Sequence, residues 1–291
     1  MKFVVTGSLG NISKPLTQLL LAAGHTVTVI SSQQERAGEI ESLGAIPAIG
    51  SISDIGFLTQ VFKGADAIYT MVPPSFTATD YRRYFNETAN SYASAIKASG
   101  VKRVVNLSSI GAHLPEGTGP IKGLYDLEHI FNALEDVSIM HLRPASFYTN
   151  FYNNVDMIKH AGILGANYPA SARMVMVHPA DIADKAAEQL QKGFNGKSVL
   201  YIASDELTLA AVTGLLGEAI GKPDLPWVEF SDEQTTDGMR QAGLPDDLAR
   251  NYAEMGNAVK SGILFEDYDR NKPVISGRKF NAFATEFATR F

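Results

Sequence analysis

Gly7, Gly10 and Ser13 recur at three-residue intervals in "TGSLGNIS", residues 6 to 13, between the apolar run "MKFVV" and the longer run "PLTQLLLAAG". Glycine at the first position permits a tight turn, and at the second it lets a backbone approach a phosphate closely. A helix that starts here turns its unpaired amides and the positive end of its dipole towards an anion. The chemistry is that of a pyrophosphate cradle, with Gly7, Leu9, Gly10, Asn11 and Ile12 as candidate contacts. The third small position, where a helix packs closely on its strand, holds Ser13 instead of glycine, the next smallest compromise. Pro15 falls in the first helical turn, where a missing amide is tolerated. The competing reading is an ordinary glycine-rich strand–helix turn.

Stepping along the chain, strand and helix patterns alternate. "KFVVTG", "HTVTVIS", "AIPAIGSI", "DAIYTMV", "VKRVVNLSS" and "VSIMHLRPA" read as strands. Between them, "ISKPLTQLLLAAG", "ERAGEIESLG", "DIGFLTQVFKG", "RRYFNETANSYASAIKASG" and "GLYDLEHIFNALED" read as helices, several stopped by glycine. Asp54 is an expected N-cap. This order implies an α/β fold, a Rossmann-like doubly wound parallel sheet with right-handed crossovers. Such sheets bind ligands beyond the carboxyl ends of their strands. That directs attention to residues 6–12, 31–36, 50–54, 71–76, 107–113 and 143–151.

The second half is less regular. "RMVMVHPADIADKAAEQL" reads as a strand and a helix capped near Asp181, "KSVLYIAS" as a strand, and "TLAAVTGLLGEAIG" as a helix capped by Thr208. After "PWVEFSD" the chain is mostly helical. The expected division is a dinucleotide-binding domain over 1–146 and a smaller, mainly helical substrate-side region over 147–291, with about 174–204 returning to the main sheet.

The 291 residues carry 45% hydrophobic side chains, enough for a substantial core, and a formal net charge of −6. No window is dense in Lys and Arg, which argues against nucleic acid as a partner. There is no cysteine, so disulfides, thiolate nucleophiles and cysteine-bound metals are excluded. The histidines show no metal-ligand spacing, and no Gly-x-Ser-x-Gly elbow marks a serine hydrolase. With no signal-like start and no membrane-length apolar run, a cytoplasmic protein without membrane association is expected.

"VVTGSLGNISKPL" resembles the Thr-Gly-x-x-Gly-x-x-Gly opening of atypical short-chain dehydrogenases/reductases, specifically the NmrA-like group. The resemblance continues through "VFKGADAIYTMVPP", "AIKASGVKRVVNLSSIGA", "MHLRPASFYTNF", "VHPADIADKAAEQL" and "FNAFATEFATRF", covering nearly the whole chain. That group includes quinone reductases, triphenylmethane-dye reductases and catalytically silent redox-sensing regulators. The resemblance therefore implies the fold and leaves activity open.

NAD binders commonly place an acid after the second strand to hold the ribose diol. Here residues 30–34 contain none. Ser31 and Ser32 can donate to a 2′-phosphate, and Arg36 can add charge, which points to NADP with NAD as the other candidate. Arg36 can equally be a solvated residue paired with Glu39 or Glu41, and Glu35 can turn towards the ribose. Relatives that prefer NADP often carry Arg earlier in this loop, and many have Asp where this chain has Ser51. Met71, Val72, Pro73, Ser108 and Ser109, at the ends of the fourth and fifth strands, complete the candidate cofactor set.

Short-chain dehydrogenases usually employ Tyr-x-x-x-Lys, in which lysine lowers the tyrosine pKa for proton exchange. This chain has Tyr125 followed by His129. Tyr125, His129 and Lys122 are weak catalytic candidates, and the simpler reading is that the proton-relay dyad is missing. Direct hydride transfer to a quinone or cationic dye does not require it. The protein then supplies orientation and exclusion of water. Phe147, Tyr148, Phe151 and Tyr152 in "PASFYTNFYNN", with Phe76 and His113, are candidate substrate contacts. The aromatic group reads nearly as well as a hydrophobic seam. Two functions follow: an NAD(P)H-dependent reductase of a flat small-molecule electrophile, or a non-catalytic NAD(P)-sensing protein acting through a protein partner or homo-oligomer.

Overall fold

The computed structural model describes residues 1–291. In chain order the first half runs β1 (Lys2–Val5), α1 (Ser13–Ala22), β2 (Thr26–Ser31), α2 (Ala37–Ser42), β3 (Ile46–Ile49), α3 (Ile55–Phe62), β4 (Ala67–Thr70), α4 (Tyr81–Ser99), β5 (Arg103–Leu107), α5 (Lys122–Asn132) and β6 (Ser138–Pro144). The second half runs β7 (Ser146–Phe147), α6 (Val155–Ala161), β8 (Leu164–Ala166), β9 (Arg173–Val177), α7 (Pro179–Lys192), β10 (Lys197–Ile202), β11 (Asp205–Thr208), α8 (Leu209–Ala219), β12 (Trp227–Glu229), α9 (Asp232–Gln241), α10 (Asp246–Ser261), α11 (Glu266–Arg270) and α12 (Phe280–Ala288).

Seven strands form the central sheet in the order β10-β6-β5-β4-β1-β2-β3, every pair parallel. The chain reverses direction across the sheet between β1 and β4, which is the switch point where such sheets open a ligand crevice. Alternation within β1 separates the two faces. Phe3 and Val5 join one core with Leu16, Leu20 and the residues of α7, α8 and α12, while Val4 joins the other with Leu58, Phe62, Phe85, Tyr92 and Phe131. Pro47 is accommodated because β3 is an edge strand.

Residues 174–204 do not all return to the main sheet. β10 does, beside β6, but β9 pairs with β11 and β7 in a separate three-stranded sheet, and β8 pairs with β12 in a further short one. Local sequence cannot distinguish these outcomes, because β9 and β10 are both short, apolar, β-branched runs. Their partners lie far away in the chain. α7 is capped by His178, not near Asp181: the imidazole Nδ1 accepts from the Ala180 amide at 3.1 Å, with Pro179 at the first helical position. Asp54 and Thr208 do cap α3 and α8, accepting from the amides of Phe57 and Ala211. No helix is long and apolar enough to cross a membrane.

Candidate cofactor and active site

The glycine turn lies at the carboxyl end of β1, beside the switch point. Gly7 has φ +87°, and a Cβ there would meet Ser13 Oγ at 2.7 Å and the Met71 side chain at 3.0 Å. Gly7 thus answers both a left-handed backbone and close packing against the end of β4. Gly10 differs: an added Cβ would meet only the Gly7 carbonyl oxygen, at 3.2 Å, and otherwise faces open space. The amides of Leu9, Asn11, Ile12 and Ser13 donate to no protein acceptor, while the Gly10 amide closes the turn onto Gly7 at 3.2 Å. Unpaired donors around a spot that a side chain would fill fit a pyrophosphate.

Residues that the sequence pattern does not mark hold this cradle. Thr6 Oγ1 accepts from the Met71 amide at 2.9 Å, joining β1 to the end of β4. From α4, Tyr92 donates to the Met71 carbonyl at 2.9 Å and Tyr84 to the Pro73 carbonyl at 2.8 Å. The wall made by Met71, Val72 and Pro73 is therefore pinned from behind. Tyr84 and Tyr92 are spaced eight residues apart on one helix face, a periodicity visible in sequence, but their targets are set only by packing. Phe76, on the loop beyond this wall, is 53% exposed.

At the end of β2, Ser31 is buried and its hydroxyl accepts from Ser8 Oγ at 3.0 Å and from the Gln33 amide at 3.2 Å. Ser32 is exposed. Arg36 donates to Glu39 at 2.8 Å, and Lys14 donates to the other Glu39 oxygen at 2.9 Å. These cations hold the Glu39 carboxyl below its usual range, Lys14 contributing most. Ser51 is exposed and shares a 2.7 Å hydrogen bond with Ser53.

The end of β5 is organised by a buried ion pair. Ser108 donates to Glu128 Oε1 at 2.5 Å, and Arg143 grips the same carboxylate through Nε at 2.9 Å and Nη2 at 2.6 Å. Arg143 Nη1 continues to the Tyr201 hydroxyl at 2.9 Å and to Asp267 at 3.0 Å. Ser108 is thus committed to a network joining β5, α5, β6, β10 and α11, whereas Ser109 remains partly exposed and donates only to the neighbouring Ile110 carbonyl. Glu128 and Arg143 were not singled out in the sequence. Their separation of fifteen positions carries no local signal.

On α5 the Tyr125 and His129 rings lie 4.1 Å apart, and His129 Nδ1 donates to the Tyr125 carbonyl at 2.9 Å. Lys122 is held by Glu254 of α10 at 2.7 Å. No lysine pairs with Tyr125, so the structure presents no proton-relay dyad there. His113, in the loop after β5, has both ring nitrogens buried without a hydrogen-bond partner, and burial lowers its pKa.

The aromatic group after β6 is the hydrophobic seam. Tyr148 is fully buried, donates to the Arg278 carbonyl at 3.0 Å and packs against Phe280, Phe283 and His178. Phe151 meets Phe280 edge-on at 5.4 Å, and Tyr152 stacks on Phe287 at 5.9 Å. These rings dock α12, which buries Phe280, Phe283 and Phe287. As candidate substrate contacts, Tyr148, Phe151 and Tyr152 are therefore corrected to the packing role, because their ring faces are already covered. Phe147 is half-buried at the edge of this cluster.

Residues 7–138 match the family described as NAD(P)H-binding. No curated protein sequence matches the chain significantly. Among solved structures, an NADPH-dependent quinone oxidoreductase from Escherichia coli, complexed with NADPH, superimposes with TM-score 0.82 at 17% identity, over 98% of this chain and 99% of that one. Citrobacter sp. triphenylmethane reductase, complexed with NADP(H), gives 0.81 at 19% identity over 99% and 100%. A nucleoside-diphosphate-sugar epimerase from Staphylococcus aureus gives 0.79 at 16% over 98% and 100%. At these identities the likeness is one of fold. The chain has the fold of these quinone and triphenylmethane reductases, and its residues 7–138 are similar to the NAD(P)H-binding family.

Proposed function

We propose that this protein is an NAD(P)H-dependent reductase that passes hydride to a flat electrophile such as a quinone or a cationic dye. The observation that carries this reading is the open amide cradle at Gly7–Ser13, at the switch point of a parallel sheet, within a domain that matches an NAD(P)H-binding family. The bound cofactor supplies the hydride. The amides of Leu9, Asn11, Ile12 and Ser13 hold its pyrophosphate, the wall at Met71–Pro73 lies alongside, and Ser109 and His113 border the reacting end. Quinone and dye reductases of the same fold, crystallised with NADPH or NADP(H), support the substrate class and the preference for NADP.

The absence of a Tyr–Lys dyad favours an acceptor that takes hydride without an obligatory protein acid. With Tyr148, Phe151 and Tyr152 engaged in packing, Phe76 and Phe147 are the aromatic side chains left to meet a flat substrate. The test is stopped-flow oxidation of NADPH and NADH against a panel of quinones, azo dyes and triphenylmethane dyes. Cofactor-dependent reduction of at least one class is expected. Tight NADPH binding with no turnover on any acceptor would replace the reductase by the cofactor-sensing protein.

A further inference from the structure

The loop between α7 and β10 reads Gly193-Phe194-Asn195-Gly196 and holds the one Asn-Gly pair of the sequence. Both glycines have positive φ, +73° at Gly193 and +74° at Gly196, and a Cβ on Gly196 would meet nothing within 4 Å. Asn195 and Gly196 are exposed. Gly196 also makes the first rung between the edge strand β10 and β6. Its amide donates to Ser138 Oγ at 3.2 Å, and its carbonyl accepts from the Ile139 amide at 2.8 Å. Cations collect around this rung. Arg103 Nη1 lies 2.9 Å from where a Cβ of Gly193 would stand, the Lys102 carbonyl accepts from the Ser138 amide at 2.8 Å, and Lys197 follows Gly196 in the chain. Arg103 and Lys197 are turned to carbonyls, those of Asp66 at 3.3 Å and Leu134 at 2.6 Å.

We propose that Asn195 is a covalent modification site, at which the Gly196 amide converts the side-chain carboxamide into aspartate and isoaspartate. The Gly196 nitrogen attacks Asn195 Cγ, and the new C–N bond closes a succinimide ring. The Cγ–Nδ2 bond breaks, and ammonia leaves with the proton of the Gly196 nitrogen. Water then opens either ring carbonyl, giving an aspartyl or an isoaspartyl linkage. The sum is amide plus water to carboxylic acid plus ammonia, with nothing oxidised or reduced. Glycine suits the attacking position because no Cβ hinders its nitrogen. The neighbouring cations favour the anionic nitrogen and the oxyanion that form on the way. Asparagines followed by other small residues are placed differently. Asn90-Ser91 and Asn257-Ala258 lie inside α4 and α10, where helical hydrogen bonds hold the following amide away from the side chain. Ser138 acts in the opposite sense to the cations: it accepts the Gly196 N–H, so ring closure waits for this rung to open. The isoaspartyl product carries an extra main-chain carbon immediately before the rung and loosens β10 from β6 there. Its carboxylate gives Arg103 an anionic partner.

The test incubates the intact protein in mildly alkaline buffer and follows it by isoelectric focusing and peptide mass spectrometry. It needs no cofactor and no turnover. A more acidic form should accumulate, with the mass change of amide to acid confined to the peptide that holds Asn195. An isoaspartyl methyltransferase, used as a reagent, should label that same peptide. Ser138→Ala should raise the rate about fivefold, the factor that one net neutral hydrogen bond contributes. Asn195→Gln should remove the acidic form. Hydrogen exchange of the Ile139 amide should be faster in the isolated isoaspartyl form than in fresh protein. An Asn195 that stays intact while the protein remains folded overturns the proposal, as does product spread evenly over the asparagines of the helices. A Ser138→Ala protein that keeps its melting temperature and is modified no faster than the wild type overturns the part given to that hydrogen bond.

Discussion

Ser13 Oγ donates to the Thr6 carbonyl oxygen at 2.7 Å, from the first residue of α1 to the residue that follows β1. The third position of the turn is thus a tether as well as a small residue. Ser13 is buried, and its hydroxyl also lies where a side chain on Gly7 would strike it. The substitution of serine for the usual glycine exchanges backbone freedom for a hydrogen bond without pushing the helix away from the strand.

Ser13→Ala should therefore cost about 1 kcal/mol of stability, the typical net value of a buried neutral hydrogen bond. NADPH affinity should stay within about twofold, because the hydroxyl is already committed to the Thr6 carbonyl. Urea unfolding and calorimetry on the same preparations check both. A tenfold loss of affinity with unchanged stability would assign the hydroxyl to the cofactor.

Gly7 and Gly10 should fail differently. Gly7→Ala forces a side chain into a left-handed backbone and against Ser13 and Met71, so it should destabilise the fold by about 1–3 kcal/mol. Gly10→Val meets no comparable obstruction within the protein and should leave the melting temperature nearly unchanged while abolishing cofactor binding. A Gly10→Val protein with normal NADPH affinity would remove the cradle assignment.

Turnover should not depend on a tyrosine acid. If the protein reduces a flat acceptor as proposed, Tyr125→Phe should lower that rate less than about tenfold, against the roughly 10²–10⁴-fold expected of a positioned proton donor. Phe151→Ala should act mainly on stability, costing about 3–5 kcal/mol, because its ring supports Phe280 of α12. Phe76→Ala, in an exposed loop, should raise KM for a flat acceptor with little effect on folding. A rate collapse in well-folded Tyr125→Phe would restore general acid catalysis.

Acid should weaken the fold through His141. Its Nδ1 accepts from Asn106 at 3.2 Å, its Nε2 donates to Asn132 at 3.0 Å, and Thr70 fixes the Asn106 amide at 3.0 Å. Neutral imidazole satisfies this chain and imidazolium does not, and burial pushes its pKa down to about 4. The folded pKa lies below the ordinary 6.5, so the stabilisation is complete above pH 6.5 and is lost as pH falls towards 4. The loss amounts to about 3 kcal/mol. His113 and His178 are shifted in the same direction and add to the slope. Unfolding free energies between pH 7 and pH 4.5 should fall less steeply in His141→Gln. Parallel profiles for the two proteins would show that His141 contributes nothing to the pH dependence.

The sequence by itself determined the parallel sheet, the glycine turn after β1 and most helix boundaries, because these are local: apolar period, glycine at helix ends, Asp54 and Thr208 as caps. It also supplied both meanings of Arg36 and of the aromatic group after β6, without the means to choose between them. Tertiary structure packed the aromatic group against α12 and paired Arg36 with Glu39. Tyr148, Phe151 and Tyr152 are covered by α12, more than 120 residues further along the chain. Glu128 is committed to Arg143 and Ser108, and Lys122 to Glu254, pairs that no spacing rule connects. β9 and β10 have the same local character and entered different sheets. A side chain's type is written in its codon, but whether its charge or ring is free for chemistry depends on which distant group has already satisfied it. That is a property of packing, and only the folded chain shows it.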